Sequence, residues 1–128
     1  MRIEEYQDGG QRSPFGIWFD GLDSSAAAIV TVALTRLADG NTSRVESIGE
    51  GAAEIRIDRG PGYRIYFGWD GKTLVILLGG GTKQRQQQDI QAALGCWRDY
   101  KARKAAAKPA PKKTAKTKTK TKTKKTKR

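Results

Sequence analysis

The chain has 128 residues, room for one domain of about 100 residues and an appendage. Its formal charge of +12 is unevenly placed: residues 1–100 hold 11 Lys+Arg against all 13 Asp+Glu, a net of −2, whereas residues 101–128 hold 14 Lys+Arg and no acid. The absence of histidine excludes imidazole triads, His-ligated zinc and imidazole acid–base pairs, and the lone Cys96 excludes an internal disulfide or a thiolate cluster.

Residues 2 to 7 read as a short first strand with Ile3 on one face. Ser13-Pro14 is an N-cap followed by proline at the first helical position, and it opens a short helix through Phe15, Trp18, Phe19 and Leu22. Asp23-Ser24 caps a second helix in which Ile29, Val30, Ala33, Leu34 and Leu37 keep helical spacing, and Gly40-Asn41 supplies a left-handed stop. Together they make a helical hairpin with one apolar face. From Arg44 the period drops to two. Val45 to Ile48 and Ala53 to Arg59 are strands joined through Gly49-Glu50-Gly51, with Ile55 and Ile57 on one face and Glu54, Arg56 and Asp58 on the other. Gly60-Pro61-Gly62 is a turn, Tyr63 to Trp69 the next strand, and Asp70-Gly71 a tight hairpin. Thr73 to Leu78 reads as a central strand covered on both sides, which Gly79-Gly80-Gly81 ends. A last helix begins near Thr82, buries Ile90, Ala93, Leu94 and Trp97 with Cys96 as a core thiol, and fades beyond residue 104. The expected fold is α+β: a small antiparallel sheet, an N-terminal helical hairpin and a C-terminal helix, with the helices on one face. The domain spans residues 1–104. Residues 105–128 carry no aromatic or branched aliphatic side chain and are expected to form a disordered Lys/Thr-rich tail.

A close turn at Gly60-Pro61-Gly62 sets Arg56 opposite Tyr66 and Asp58 opposite Arg64, and the Asp70-Gly71 turn then sets Val75 and Leu77 beside Tyr66 and Arg64. Two arginines and a tyrosine beside the glycine run, with Lys83 and Arg85 at the next helix's start, suit a phosphodiester anion. The plainer reading is cross-strand ion pairing, Asp58 with Arg64 and Glu54 with Arg56, on a solvated face. Gly79 to Lys83 lacks the first glycine and the final Ser/Thr of a phosphate-binding P-loop, which excludes that site. Phe67 and Tyr63 are expected to point inward, leaving Tyr66 to stack on bases. Trp18 and Phe19 read as core, with a partner-contact surface as the alternative. The longest apolar runs, Ala26 to Val30 and Leu74 to Leu78, fall far short of the ~20 residues that span a bilayer, and the acidic N-terminus has no signal-peptide core. A cytoplasmic protein without a membrane partner is expected.

Gly49 to Ile57, then Gly60-Pro61-Gly62-Tyr63-Arg64-Ile65-Tyr66-Phe67, then Leu77 to Lys83 with Gln86 and Asp89-Ile90, resemble the addiction-module killer proteins. These form the HigB-like branch of the RelE/ParE toxin superfamily, and the likeness covers about residues 13 to 97. The resemblance implies a RelE-like fold and a toxin, held by a helix-turn-helix antitoxin, that cuts mRNA, usually on the ribosome. Neither a metal nor a cofactor is implied, because RNA supplies its own 2′-hydroxyl as nucleophile and the protein stabilises the phosphorane and the leaving 5′-oxygen. It assigns Arg56, Arg64 and Lys83 to the basic positions, Arg64 for the phosphorane and Lys83 for the leaving group. Where relatives place a tyrosine or histidine in the last helix, this chain has Gln86, Gln87, Gln88 and Asp89, so Asp89 and Tyr66 are the acid–base candidates. The alternatives are a ParE-like gyrase inhibitor that cuts nothing and a non-catalytic nucleic-acid-binding protein. Arg59 and Arg85 on the body, and Lys112, Lys113, Lys116, Lys118, Lys120, Lys122, Lys124 and Lys125 in the tail, are expected to meet the nucleic-acid backbone. For the tail, a low-complexity extension without a required role is the alternative.

Overall fold

The computed structural model describes residues 1–107 of the chain. Strand β1 (Arg2–Glu5) leads into helices α1 (Pro14–Asp20) and α2 (Ser24–Ala38). Strands β2 (Val45–Gly49), β3 (Ala52–Ile57), β4 (Tyr63–Asp70) and β5 (Leu74–Thr82) follow. A single 3-10 turn over Lys83–Arg85 then precedes helix α3 (Gln86–Ala107). The sheet order is β1-β5-β4-β3-β2. All neighbours are antiparallel except β1, which lies parallel to β5. That departs from the wholly antiparallel sheet expected. Residues 6–73, containing the helical hairpin and three strands, separate β1 from β5 and allow the crossover a parallel pair needs.

The capping chemistry acts as the sequence dictates. Ser13 accepts from the Gly16 N–H at 2.9 Å with Pro14 at the first helical position, and Asp23 accepts from the Ala26 N–H at 2.8 Å. Gly40 takes φ +90° just past α2 and stops it. Helix α1 ends at Asp20, so Leu22 packs on the core from the connection rather than from the helix.

Helices cover both faces of the sheet, not one. Phe15, Val30 and Leu37 pack with Ala53, Ile55, Ile57, Ile65, Phe67, Val75 and Leu77 on one side. Ala93, Leu94 and Trp97 of α3 pack with Ala52, Tyr66, Ile76, Leu78 and Tyr6 on the other. Strands β4 and β5 are apolar on both faces, and a single layer of helices would leave one set of these side chains in water.

The glycine run continues β5 through Thr82 instead of ending it. A Cβ on Gly80 would overlap the Trp18 indole, and one on Gly81 would overlap the Asp89 carboxylate. Glycine is therefore used here for close approach across the strand, with helix side chains filling the missing volume. The last helix correspondingly starts at Gln86, later than Thr82. Among the described residues, no helix is long and apolar enough to cross a membrane.

Candidate functional site: a buried donor cluster under the start of α3

The register corrects the expected pairing. Arg56 stands opposite Arg64 and Glu54 opposite Tyr66, because the last pair of the β3–β4 ladder is Ile57 with Tyr63 and the connection spans five residues, leaving Asp58 outside it. On β5 the turn is also longer than read, with Asp70 paired to Leu74, and Leu78 is bulged between Leu77 and Gly79. Gly79 and Gly81, rather than Val75 and Leu77, therefore lie beside Tyr66 and Arg64.

Alternation along β3 and β4 puts Glu54, Arg56, Arg64 and Tyr66 on the α3 face. This face is not solvated as expected: Glu54 and Arg64 are each 3% exposed and Tyr66 1%. Both ion pairs of the plainer reading are present, Arg56 Nε to Glu54 at 3.3 Å and Arg64 Nη1 to Asp58 at 4.0 Å. Arg56 Nη1 also reaches Glu46 on β2 at 3.1 Å. Gln86, the first residue of α3, donates from Nε2 to both Glu54 carboxylate oxygens at 2.9 Å. Arg64 Nη1 donates to the Tyr63 carbonyl at 3.0 Å.

Three buried polar atoms among the described residues are left without a hydrogen-bond partner: Arg56 Nε, Arg64 Nε and the Tyr66 hydroxyl. All three can donate, and all lie on neighbouring positions of one sheet face. Native interiors rarely leave such groups unpaired, since each costs ~1–3 kcal/mol in lost hydration. Arg56 Nε still faces Glu54 as an ion pair, so Arg64 Nε and the Tyr66 hydroxyl are the donors the cluster leaves for an acceptor-rich group.

Lys83 and Arg85 flank it on the 3-10 turn, both exposed. The Lys83 N–H donates to the Gly62 carbonyl at 2.7 Å, which ties the turn to the head of β4 and sets the Lys83 side chain against Gly62, beside Arg64 Nη1. Asp89, one turn into α3, seats its half-buried carboxyl over Gly81. Burial raises the Asp89 pKa, against the opposing pull of Arg85. Burial likewise pushes the Tyr66 phenol up, reinforced by Glu54 and Asp89 and opposed by Arg64. Tyr66 is thus no stacking surface for a base, contrary to expectation, because α3 and β5 enclose it.

Arg56, Arg64, Tyr66, Lys83 and Asp89 are therefore brought to one end of the sheet. Arg59 lies exposed in the adjoining β3–β4 connection. The tail lysines, Lys112 through Lys125, lie outside the described residues. Two members were not singled out as site residues from the sequence. Glu54 is the buried hub between Arg56 and Gln86, and the period of two that puts it on the face of Arg56 was the available signal. Gly81 makes the seat of Asp89, which only the path of α3 reveals.

The fold and this basic, donor-rich cluster define a small α+β protein whose charged site lies where β3, β4 and the start of α3 meet. Residues 17–94 match the phage-derived protein Gp49-like family (DUF891), more than half of the chain, and the protein belongs to that family. Membership is consistent with a toxin-type protein. The chain is also 40% identical over 80 residues to an uncharacterized protein of Haemophilus influenzae (strain ATCC 51907 / DSM 11121 / KW20 / Rd), an alignment covering 62% of this chain and 81% of that protein.

Proposed function

We propose that the protein is the toxin of a toxin–antitoxin pair and acts as a metal-independent endoribonuclease on mRNA, with the ribosome presenting the message. The observation that carries this reading is the pair of buried donors without a partner, Arg64 Nε and the Tyr66 hydroxyl, beside the ion-paired Arg56 and the exposed Lys83. A phosphodiester brings oxygen acceptors alone, and its phosphorane brings an additional negative charge. In this reading the 2′-oxygen attacks phosphorus as its proton passes to solvent water, the bond from phosphorus to the 5′-oxygen breaks, and Arg64 and Arg56 stabilise the phosphorane between the two. Lys83 supports the departing 5′-oxygen from the rim. Asp89, whose pKa burial raises, is the proton donor to that oxygen, and the Tyr66 hydroxyl is left to meet the phosphate oxygens. Residues 1–104 carry the activity, although α3 itself continues to Ala107. The tail of residues 105–128 adds sequence-independent attraction to nucleic acid. Its helix-turn-helix antitoxin and the cytoplasm as its site of action complete the proposal.

The depth of Arg64 favours a second reading, a ParE-like toxin that binds DNA gyrase and cuts nothing. Primer extension on translated messages separates the two. Discrete cuts that require ribosomes support the nuclease; gyrase-linked DNA damage without RNA cuts supports the second reading.

A further inference from the structure

A groove of 370 Å³ lies between α2 and the ends of β2 and β3, on the α2 side of the sheet, with Arg56 of the donor cluster among its lining residues. Ile29, Val32 and Ala33 of α2 form one wall, and Val45 of β2 with Ile57 of β3 the other. Val32 is 48% exposed, among the most exposed large apolar side chains described. Arginines stand along the rim. Arg36 and Arg59 make no ion pair among the described residues, and Arg44 holds Asp58 at 3.1 Å with both side chains largely in water.

We infer that this groove receives an amphipathic helix of a partner protein, apolar on one side and carrying Asp or Glu along its edges. The apolar walls supply the buried contact and the arginines select the charge. The same charge argues against the other occupants. The chain's own C-terminal segment is strongly basic and would meet four arginines, Arg36, Arg44, Arg56 and Arg59. A second copy placed groove to groove would face the arginine rim with itself, since a two-fold contact pairs each patch with its own kind. The inference rests on the groove alone and stands whether or not the protein cuts RNA.

The test uses the full chain and a synthetic 16-residue helical peptide with Leu along one side and Glu along the other. A scrambled peptide of equal composition controls for charge attraction to the basic C-terminal segment. The amphipathic peptide should bind about tenfold or more tightly than the scrambled one, a difference of ~1.4 kcal/mol. Amide chemical shifts should move at Ile29, Val32, Val45 and Ile57. Val32→Asp, at an exposed position, should abolish the preference, and Arg36→Glu should weaken binding of the amphipathic peptide while both variants keep the native circular dichroism spectrum. Equal binding of the two peptides, no binding by either, or shifts confined to residues outside the groove would overturn the inference.

Discussion

Arg56 and Arg64 stand directly opposite one another on β3 and β4, two like charges in register on a sheet face closed by α3. Such a pair is unfavourable by itself, and it is offset here by Glu54 and Glu46 on one side and Asp58 on the other. A conflict of this kind, held in place by surrounding carboxylates, is expected where function requires concentrated positive charge.

Replacing Arg64 therefore separates function from fold. Arg64→Gln should lower RNA cleavage by about 100-fold or more, since a donor to transition-state charge is removed, while thermal denaturation shows a protein that still unfolds cooperatively. Arg56→Gln should behave differently, because it leaves the buried Glu54 without its cation. That variant should lose stability together with activity, and parallel melting and activity measurements check both.

Tyr66→Phe keeps the ring packing against Ile76, Leu78 and Ala93 but removes a buried hydroxyl that has no partner. The free protein should become more stable by about 1 kcal/mol in urea denaturation. A loss of stability would show that the hydroxyl is already satisfied and takes no part in receiving an anion.

Asp89 gives a pH signature. Its folded-state pKa lies above the ordinary value because burial penalises the charged form. The sign follows: the wild type is favoured in acid and loses that contribution as pH rises through the folded pKa. Asp89→Asn should remove this loss, so the variant gains on the wild type from the carboxylate range upward in denaturation curves taken at several pH values. If Asp89 also donates the proton to the leaving oxygen, the same change lowers cleavage and flattens its pH–rate profile.

Close approach explains why glycine recurs in β4 and β5. A Cβ on Gly80 would strike Trp18 and one on Gly68 would strike Trp97, whereas Gly79 has nothing within 4 Å. Gly80→Ala and Gly68→Ala should each cost about 1–3 kcal/mol by overpacking. Gly79→Ala should stay within about 0.5 kcal/mol. Chemical denaturation of the three variants gives the comparison directly.

Much of the fold was legible in the chain, and the failures have two causes. Ser13-Pro14, Asp23 and Gly40 mark helix ends through local chemistry, and the apolar alternation of β3 to β5 marks strands. The site's residue types were legible as well. Their register was not, since turn length decides which residue faces Arg56, and a five-residue connection moved its partner from Tyr66 to Arg64. The burial of Tyr66 and Glu54 was also hidden. It depends on α3 crossing the sheet's second face, where Trp97 donates to the Glu50 carbonyl at 2.7 Å and Tyr100 to Asp70 at 2.5 Å, contacts between residues 30 or more apart in the chain.

The basic segment beyond α3 makes a prediction from charge alone. Deleting residues 105–128 removes 11 of the chain's Lys+Arg and brings its formal charge from +12 to +1. The slope of log affinity for single-stranded RNA against log salt should flatten by roughly 0.7 for each phosphate that the shortened chain no longer neutralises. Cleavage positions should not move, because the cluster of Arg56, Arg64 and Lys83 remains.

Cleavage of a translated message containing a single 2′-deoxy nucleotide at the mapped cut site, compared with the all-ribose message, tests the nuclease proposal most directly. The account predicts a discrete cut in the ribose message that leaves a 2′,3′-cyclic phosphate and a 5′-hydroxyl, no cut at the deoxy position, and loss of the cut with Arg64→Gln. Cleavage that persists at the deoxy position, or that Arg64→Gln performs at the wild-type rate, would contradict it.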